Sequence, residues 1–191
     1  MKRVLRITVL YVLCMLIQIL PCAAQNVELV EELNPAERGT GPTFIISYLG
    51  QLYFRADSGS AGMELMRYDG TNVSLAADIN PSGSSDPTEF TANAGVLYFT
   101  ADDGTHGQRL WSFDGSAASL VDSNQFVQTA QELISFNDNL YFRGTRFSDI
   151  GIELWRFDGS AISYIDILAG TGSSYPQQPL SPVDSKHKNA P

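Results

Sequence analysis

What most constrains this chain is that it repeats itself. The triplets Leu52-Tyr53-Phe54, Leu97-Tyr98-Phe99 and Leu140-Tyr141-Phe142 recur at spacings of 45 and 43 residues. A second marker keeps step. Glu64-Leu65-Met66-Arg67-Tyr68-Asp69-Gly70, Arg109-Leu110-Trp111-Ser112-Phe113-Asp114-Gly115 and Glu153-Leu154-Trp155-Arg156-Phe157-Asp158-Gly159 recur at spacings of 45 and 44. Two separate markers with one period make chance a poor explanation, and they limit the fold to about three copies of one structural unit.

Each unit reads as four short strands. In the first copy these are the runs 43–48, 52–56, 64–68 and 73–77, separated by turn-forming or polar residues. Asp69-Gly70, Asp114-Gly115 and Asp158-Gly159 each lie between apolar-rich runs, which signals a hairpin with a type I′ turn and positive φ at both central residues. Those aspartates are therefore read as turn residues. In the second strand Leu52 and Phe54 point one way and Tyr53 the other, so both faces carry large apolar surface. Such a sheet needs neighbouring sheets on both sides, as blades have in a β-propeller. Met66, Trp111 and Trp155 are equivalent positions and are assigned to packing between sheets rather than to an aromatic binding platform. The expected fold class is all-β: an array of about three four-stranded antiparallel β-propeller blades, open or incomplete, with units at about 43–78, 88–122 and 132–168.

The flanks extend the pattern unevenly. Val27-Glu28-Leu29-Val30-Glu31-Glu32-Leu33-Asn34-Pro35 aligns without a gap on Val73-Ser74-Leu75-Ala76-Ala77-Asp78-Ile79-Asn80-Pro81. It reads as the fourth strand of a unit, which in a propeller completes the last blade. Residues 175–181 could open a fourth unit, but where the next Leu-Tyr-Phe triplet is due the chain carries Lys186-His187-Lys188-Asn189-Ala190-Pro191. The repeat domain is accordingly placed at 25–181 and an irregular tail at 182–191. Three complete units leave outer apolar faces uncovered, so self-association that closes a ring from two chains, or aggregation, is expected.

Residues 1–24 read as a signal peptide. Lys2, Arg3 and Arg6 form a basic start, the segment from Val9 to Leu20 is almost wholly apolar, and Pro21-Cys22-Ala23-Ala24 offers the small residues a signal peptidase needs before Gln25. About a dozen apolar residues fall short of the roughly 20 that span a bilayer, so no membrane span is expected. Lipidation at Cys22 is disfavoured because Leu20 and Pro21 are a poor lead-in. Both cysteines, Cys14 and Cys22, fall within that segment, so the mature chain has neither disulfide nor thiol chemistry. Without Lys2, Arg3 and Arg6, nine basic residues face 21 acidic ones, a net charge of −12. That charge repels phosphate backbones and anionic lipid, excluding nucleic acid as a partner and leaving cations, glycans and proteins.

These markers resemble the ELWxxDGT repeat family, found mainly in large exported bacterial proteins. The closest matches are Glu153-Leu154-Trp155-Arg156-Phe157-Asp158-Gly159-Ser160, and Ala101-Asp102-Asp103-Gly104-Thr105-His106-Gly107 leading into Arg109-Leu110-Trp111. Asp78-Ile79-Asn80-Pro81 and the following Gly83-Ser84-Ser85 match the segment that links one repeat to the next. The resemblance covers nearly all of residues 27–175. Departures are Met66 for tryptophan, Arg109 for glutamate, and a third loop that runs Gly144-Thr145-Arg146-Phe147-Ser148-Asp149. The resemblance implies a propeller-like array at a cell surface or outside the cell, and it carries no catalytic residues.

Candidate chemistry is sparse. His106, beside Asp102 and Asp103, is the sole histidine within the repeats, and a serine in nucleophile-elbow context is missing, so no catalytic residue is assigned. Calcium is the stronger candidate ligand, because hard cations gather oxygen ligands and the loops after the second strands carry Asp57, then Asp102 and Asp103, then Asp149. In a propeller those loops share a face with the linkers that hold Asp78, Asn80, Asp86 and Asn124. None shows the alternating aspartates of a dedicated calcium loop, and solvated turn residues remain the plainer assignment. Asn72-Val73-Ser74 fits a glycosylation sequon, a weak three-residue match. The sequence thus points to a secreted or cell-envelope, non-catalytic binding or scaffold module with a protein or glycan ligand. The alternatives are a fragment of a larger repeat adhesin and, further off, a propeller hydrolase.

Overall fold

The structure is a computed structural model that describes residues 41–122, 127–146, 150–168 and 172–176. All of them lie in one compact unit, Glu31–Pro191. Among the described residues there are twelve strands and no helix. β1 (Thr43–Tyr48), β2 (Gln51–Asp57), β3 (Met63–Tyr68) and β4 (Val73–Ala77) form the first sheet. β5 (Thr88–Asn93), β6 (Val96–Asp102), β7 (Gln108–Phe113) and β8 (Ala118–Leu120) form the second. β9 (Thr129–Phe136), β10 (Asn139–Arg146), β11 (Ile150–Phe157) and β12 (Ile162–Ile165) form the third. Every sheet is an antiparallel meander, each strand pairing with the next in the chain. The all-β class with four-stranded antiparallel sheets therefore holds, and among the described residues no sheet closes on itself.

Turn chemistry departs from the expectation. The Asp-Gly hairpins are not two-residue type I′ turns, since Tyr68 pairs with Val73, Phe113 with Ala118 and Phe157 with Ile162, leaving four residues in each loop. Only the glycines carry positive φ there, at 99°, 101° and 94° for Gly70, Gly115 and Gly159. The reason is that each aspartate caps its own loop: Asp114 Oδ1 accepts the Ser116 and Ala117 amides at 2.8 and 2.9 Å, and Asp158 Oδ1 accepts those of Ser160 and Ala161 at 3.0 and 2.8 Å. The two-residue turns with both central φ values positive lie instead between first and second strands, at Leu49-Gly50, Ala94-Gly95 and Asn137-Asp138.

The first strand of each sheet also carries a bulge at the same repeat position. Phe44, Glu89 and Glu132 sit at φ 53°, 59° and 56°, where the register with the second strand slips. One extra residue there bends the strand and adds twist, and it does so three times over.

Two apolar clusters join the sheets. Tyr48, Tyr53 and Leu65 of the first sheet pack with Leu97, Phe99, Ala101 and Phe113 of the second. Tyr98 and Leu110 of the second pack with Ala130, Leu133, Leu140, Phe142, Trp155 and Phe157 of the third. The two interfaces use the same repeat positions. Tyr53 meets Phe113 at a ring separation of 5.5 Å, and their equivalents Tyr98 and Phe157 meet edge-on at 5.9 Å. Polar contacts repeat too: the Tyr48 hydroxyl donates to the Gly95 carbonyl at 2.9 Å, and Asn93 Nδ2, at the equivalent position, donates to the Asp138 carbonyl at 3.2 Å. Fully burying a side chain such as Phe142 or Trp155 contributes about 1.5–3 kcal/mol or more, so these interfaces hold the sheets together. Alternation of faces reads as the sequence implied, with Phe54 and Met66 in a cluster on one side of the first sheet and Tyr53 on the other.

Candidate functional site

A buried clamp fixes each sheet to the segment that follows it. Glu64 opens the Glu-Leu-Met stretch of β3 and sits fully buried opposite Ala56, whose small side chain leaves it room. Its Oε2 accepts the Ile79 amide at 2.9 Å and the Ser85 hydroxyl at 2.6 Å, while Oε1 accepts the Ser85 amide at 2.9 Å. Burial raises its pKa above the usual carboxylate value, with the hydrogen bonds from Ser85 and Ile79 opposing that rise. Glu153 repeats the arrangement, accepting the amides of Ile167 and Ser174 and the Ser174 hydroxyl. In the second sheet Arg109 inverts the polarity: its Nη1 donates to the carbonyls of Val127 and Gln128 at 3.2 and 2.6 Å. Arg109 in place of glutamate is thus a change of hydrogen-bond direction at a position that recurs in all three sheets.

Between the second and third sheets lies a cleft of about 350 Å³, within the range of small-molecule sites. Tyr98, Ser112, Asp114, Ser119, Phe157 and Ser160 line it. The Tyr98 and Phe157 rings are the aromatic pair of the sheet interface, and burial raises the Tyr98 pKa, keeping the phenol neutral. Ser112 Oγ donates to the Ser119 carbonyl at 3.2 Å, which leaves its lone pairs as acceptors. Asp114 is held ionised, its pKa lowered by hydrogen bonds from the Ala117 and Ser116 amides and the Ser116 hydroxyl. On the neighbouring turn Asp158 is held at about 2 in the same way, by Ala161 and Ser160. Hydroxyls and a carboxylate over aromatic rings can accept and donate hydrogen bonds to a polyhydroxylated ligand while covering its apolar faces.

The aspartates assigned to calcium occupy local turns. Asp57 Oδ1 accepts the Gly59 amide at 2.7 Å and Asp102 Oδ1 the Gly104 amide at 2.8 Å. Asp103 accepts the Thr105 and His106 amides at 2.9 and 2.8 Å and faces His106 Nδ1 at 2.7 Å. Burial works against its ionisation, yet the hydrogen bonds from His106 and Thr105 prevail and lower its pKa. Asp149 and Asn124 lie outside the described residues. Linker and loop do meet: Asn80 lies against Gly104, and the Asp102 amide donates to the Ser85 carbonyl at 2.9 Å. Among the described residues no three His, Cys, Asp or Glu side chains gather as a metal-ligand set.

Sequence reasoning missed both the clamp and the cleft. The clamp had a signal, since Glu64 and Glu153 directly precede the apolar pairs Leu65-Met66 and Leu154-Trp155 and each has a serine 21 residues on, Ser85 and Ser174. The cleft had none, because its walls come from two different units. Among the described residues no helix is long and apolar enough to cross a membrane. No protein-family model matches the chain, and no curated protein matches it closely enough to count as a relative.

Proposed function

We propose that the chain is an exported, non-catalytic scaffold of propeller-like blades that binds glycans at the cell surface or outside the cell. The observation that carries the reading is the doubled sheet interface, in which Tyr53–Phe113 and Tyr98–Phe157 occupy equivalent positions. Sheets that stack through one recurring contact are how a blade array is built, and the resemblance to ELWxxDGT repeats agrees with it. Such a stack is rigid, and rigid scaffolds present recognition surfaces at their loops and clefts. The cleft between the second and third sheets is the place for a sugar: Asp114, Ser112 and Ser119 face its hydroxyls, and Tyr98 and Phe157 cover its apolar face. Export follows from the basic and apolar character of residues 1–24.

The experiment takes the chain from a secreting host, reads its N-terminus by mass spectrometry and probes it on a printed glycan array. The reading predicts a start at or near Gln25 and retention of at least one glycan class, lost when Ser112→Trp fills the cleft. An intact precursor, an array with no retention, or retention unchanged in Ser112→Trp would contradict it.

A further inference from the structure

The three sheets differ at one repeat position that faces the cleft. Arg67, Ser112 and Arg156 are equivalents, each paired across its hairpin with a serine, Ser74, Ser119 and Ser163. In the first sheet Arg67 Nε donates to the Ser74 hydroxyl at 3.0 Å, and the guanidinium charge adds to the Asn72 and Thr71 amides in lowering the pKa of Asp69. In the third sheet Arg156 Nη2 lies 3.4 Å from Asp158 Oδ2, and its Nε donates to Asn139 Oδ1 at 2.9 Å. Both of these turn aspartates feel an arginine's charge. Asp114, the third, has no ion pair among the described residues, and the short Ser112 side chain leaves the arginine's ground open. Its Oδ1 takes up the Ser116 amide, the Ser116 hydroxyl and the Ala117 amide, while Oδ2 accepts no hydrogen bond among the described residues. Among the described residues that line the cleft, Asp114 is the only charged one.

We propose that the cleft takes its glycan through a protonated amino group, seated where the first and third sheets carry a guanidinium, and so selects free amino sugars over their N-acetylated and acidic counterparts. The inference rests on the glycan reading and adds to it the charge of the ligand. An ammonium supplies the donors that Asp114 Oδ2 lacks, and the hydroxyls on the neighbouring ring carbons meet Ser112 and Ser119. The Tyr98 and Phe157 rings favour a cation over an anion at the same place. N-acetylation removes the charge and leaves Oδ2 with a weaker, neutral donor. A uronic acid does worse, because it sets a carboxylate against Asp114 in the field of a chain whose net charge is −12 beyond residue 24.

The test is isothermal titration calorimetry on the chain from a secreting host, in low salt and at about pH 6, where amines are protonated and screening is weak. The probes are tetramers of glucosamine, N-acetylglucosamine and galacturonic acid, with a tri-arginine peptide beside them, and a thermal melt accompanies every variant. The glucosamine tetramer is expected to bind about three- to tenfold more tightly than the N-acetylated one, and the acidic one most weakly. Asp114→Asn, which keeps an Oδ1 acceptor for the turn, should erase that preference and leave the N-acetylated affinity as it was. Ser112→Arg should weaken the glucosamine tetramer about tenfold or more without lowering the melt, since arginine already stands at that position in the other two sheets. Equal affinity for the two glucosamine forms, a preference that survives Asp114→Asn, or binding undiminished in Ser112→Arg would overturn the proposal and leave the glycan reading in place. No binding of any oligosaccharide would overturn both. Tighter binding of the tri-arginine peptide would assign the cation to a protein partner, and would overturn the amino-sugar proposal likewise.

Discussion

Position 144 shows how a single residue type is dictated by its surroundings. In the first two sheets the equivalent residues are alanines, Ala56 and Ala101, both wholly buried. In the third it is Gly144, because a Cβ there would lie 2.7 Å from Trp155 Cδ1 and 2.9 Å from the Thr129 carbonyl oxygen. Trp111, the equivalent of Trp155, is half-buried and donates its indole N–H to the Ala101 carbonyl at 3.1 Å, a placement that leaves room for alanine. Gly144→Ala is therefore expected to destabilise the chain by about 1–3 kcal/mol, read by urea unfolding, since the backbone oxygen cannot move aside. Ala101→Gly should cost only about 0.5–1 kcal/mol from chain entropy. Trp155 was legible as a packing residue from its equivalence to Met66 and Trp111. The glycine opposite was not, because its need arises from a side-chain placement that the repeat pattern does not encode.

Among the elements, third strands do more than pair. Each carries a buried polar residue that ties its sheet to the following segment, Glu64, Arg109 and Glu153 in turn. Glu64→Gln keeps the shape but swaps an acceptor for a donor facing either Ser85 or Ile79, so a loss of about 1–3 kcal/mol is expected. The pH dependence has a definite sign. Because the folded pKa of Glu64 is raised, its contribution is full below the unfolded value of about 4.5 and declines as pH rises above it. The deficit of Glu64→Gln against the wild chain should therefore be larger at pH 4 than at pH 7; a deficit that grows with pH would contradict the burial-dominated account. Turn elements show where the sequence misled. Asp-Gly announced a hairpin correctly but not its length, because the aspartate side chain hydrogen-bonds two and three residues ahead and stabilises a four-residue loop. The tight turns fell at Leu49-Gly50, Ala94-Gly95 and Asn137-Asp138, where a turn at Gly50 was legible but leucine and alanine at the first positive-φ position hid its type.

For the whole molecule, period and strand count were legible because two markers repeat and apolar residues occupy both faces of the second strands. The order of contacts between sheets followed from that same equivalence. A cleft made from two units was hidden, since a one-dimensional pattern cannot say which loops of successive repeats come together. The central claim is that successive sheets stack through repeat-equivalent contacts, and its most direct measurement is a pair of double-mutant cycles on unfolding free energy. One cycle joins Tyr53→Leu with Phe113→Leu, the other Tyr98→Leu with Phe157→Leu, and Tyr53→Leu with Phe157→Leu serves as the cross-interface control. The account predicts a coupling of about 0.5–1.5 kcal/mol in both real pairs and additivity within about 0.5 kcal/mol in the control. Additivity in both real pairs would contradict the stack.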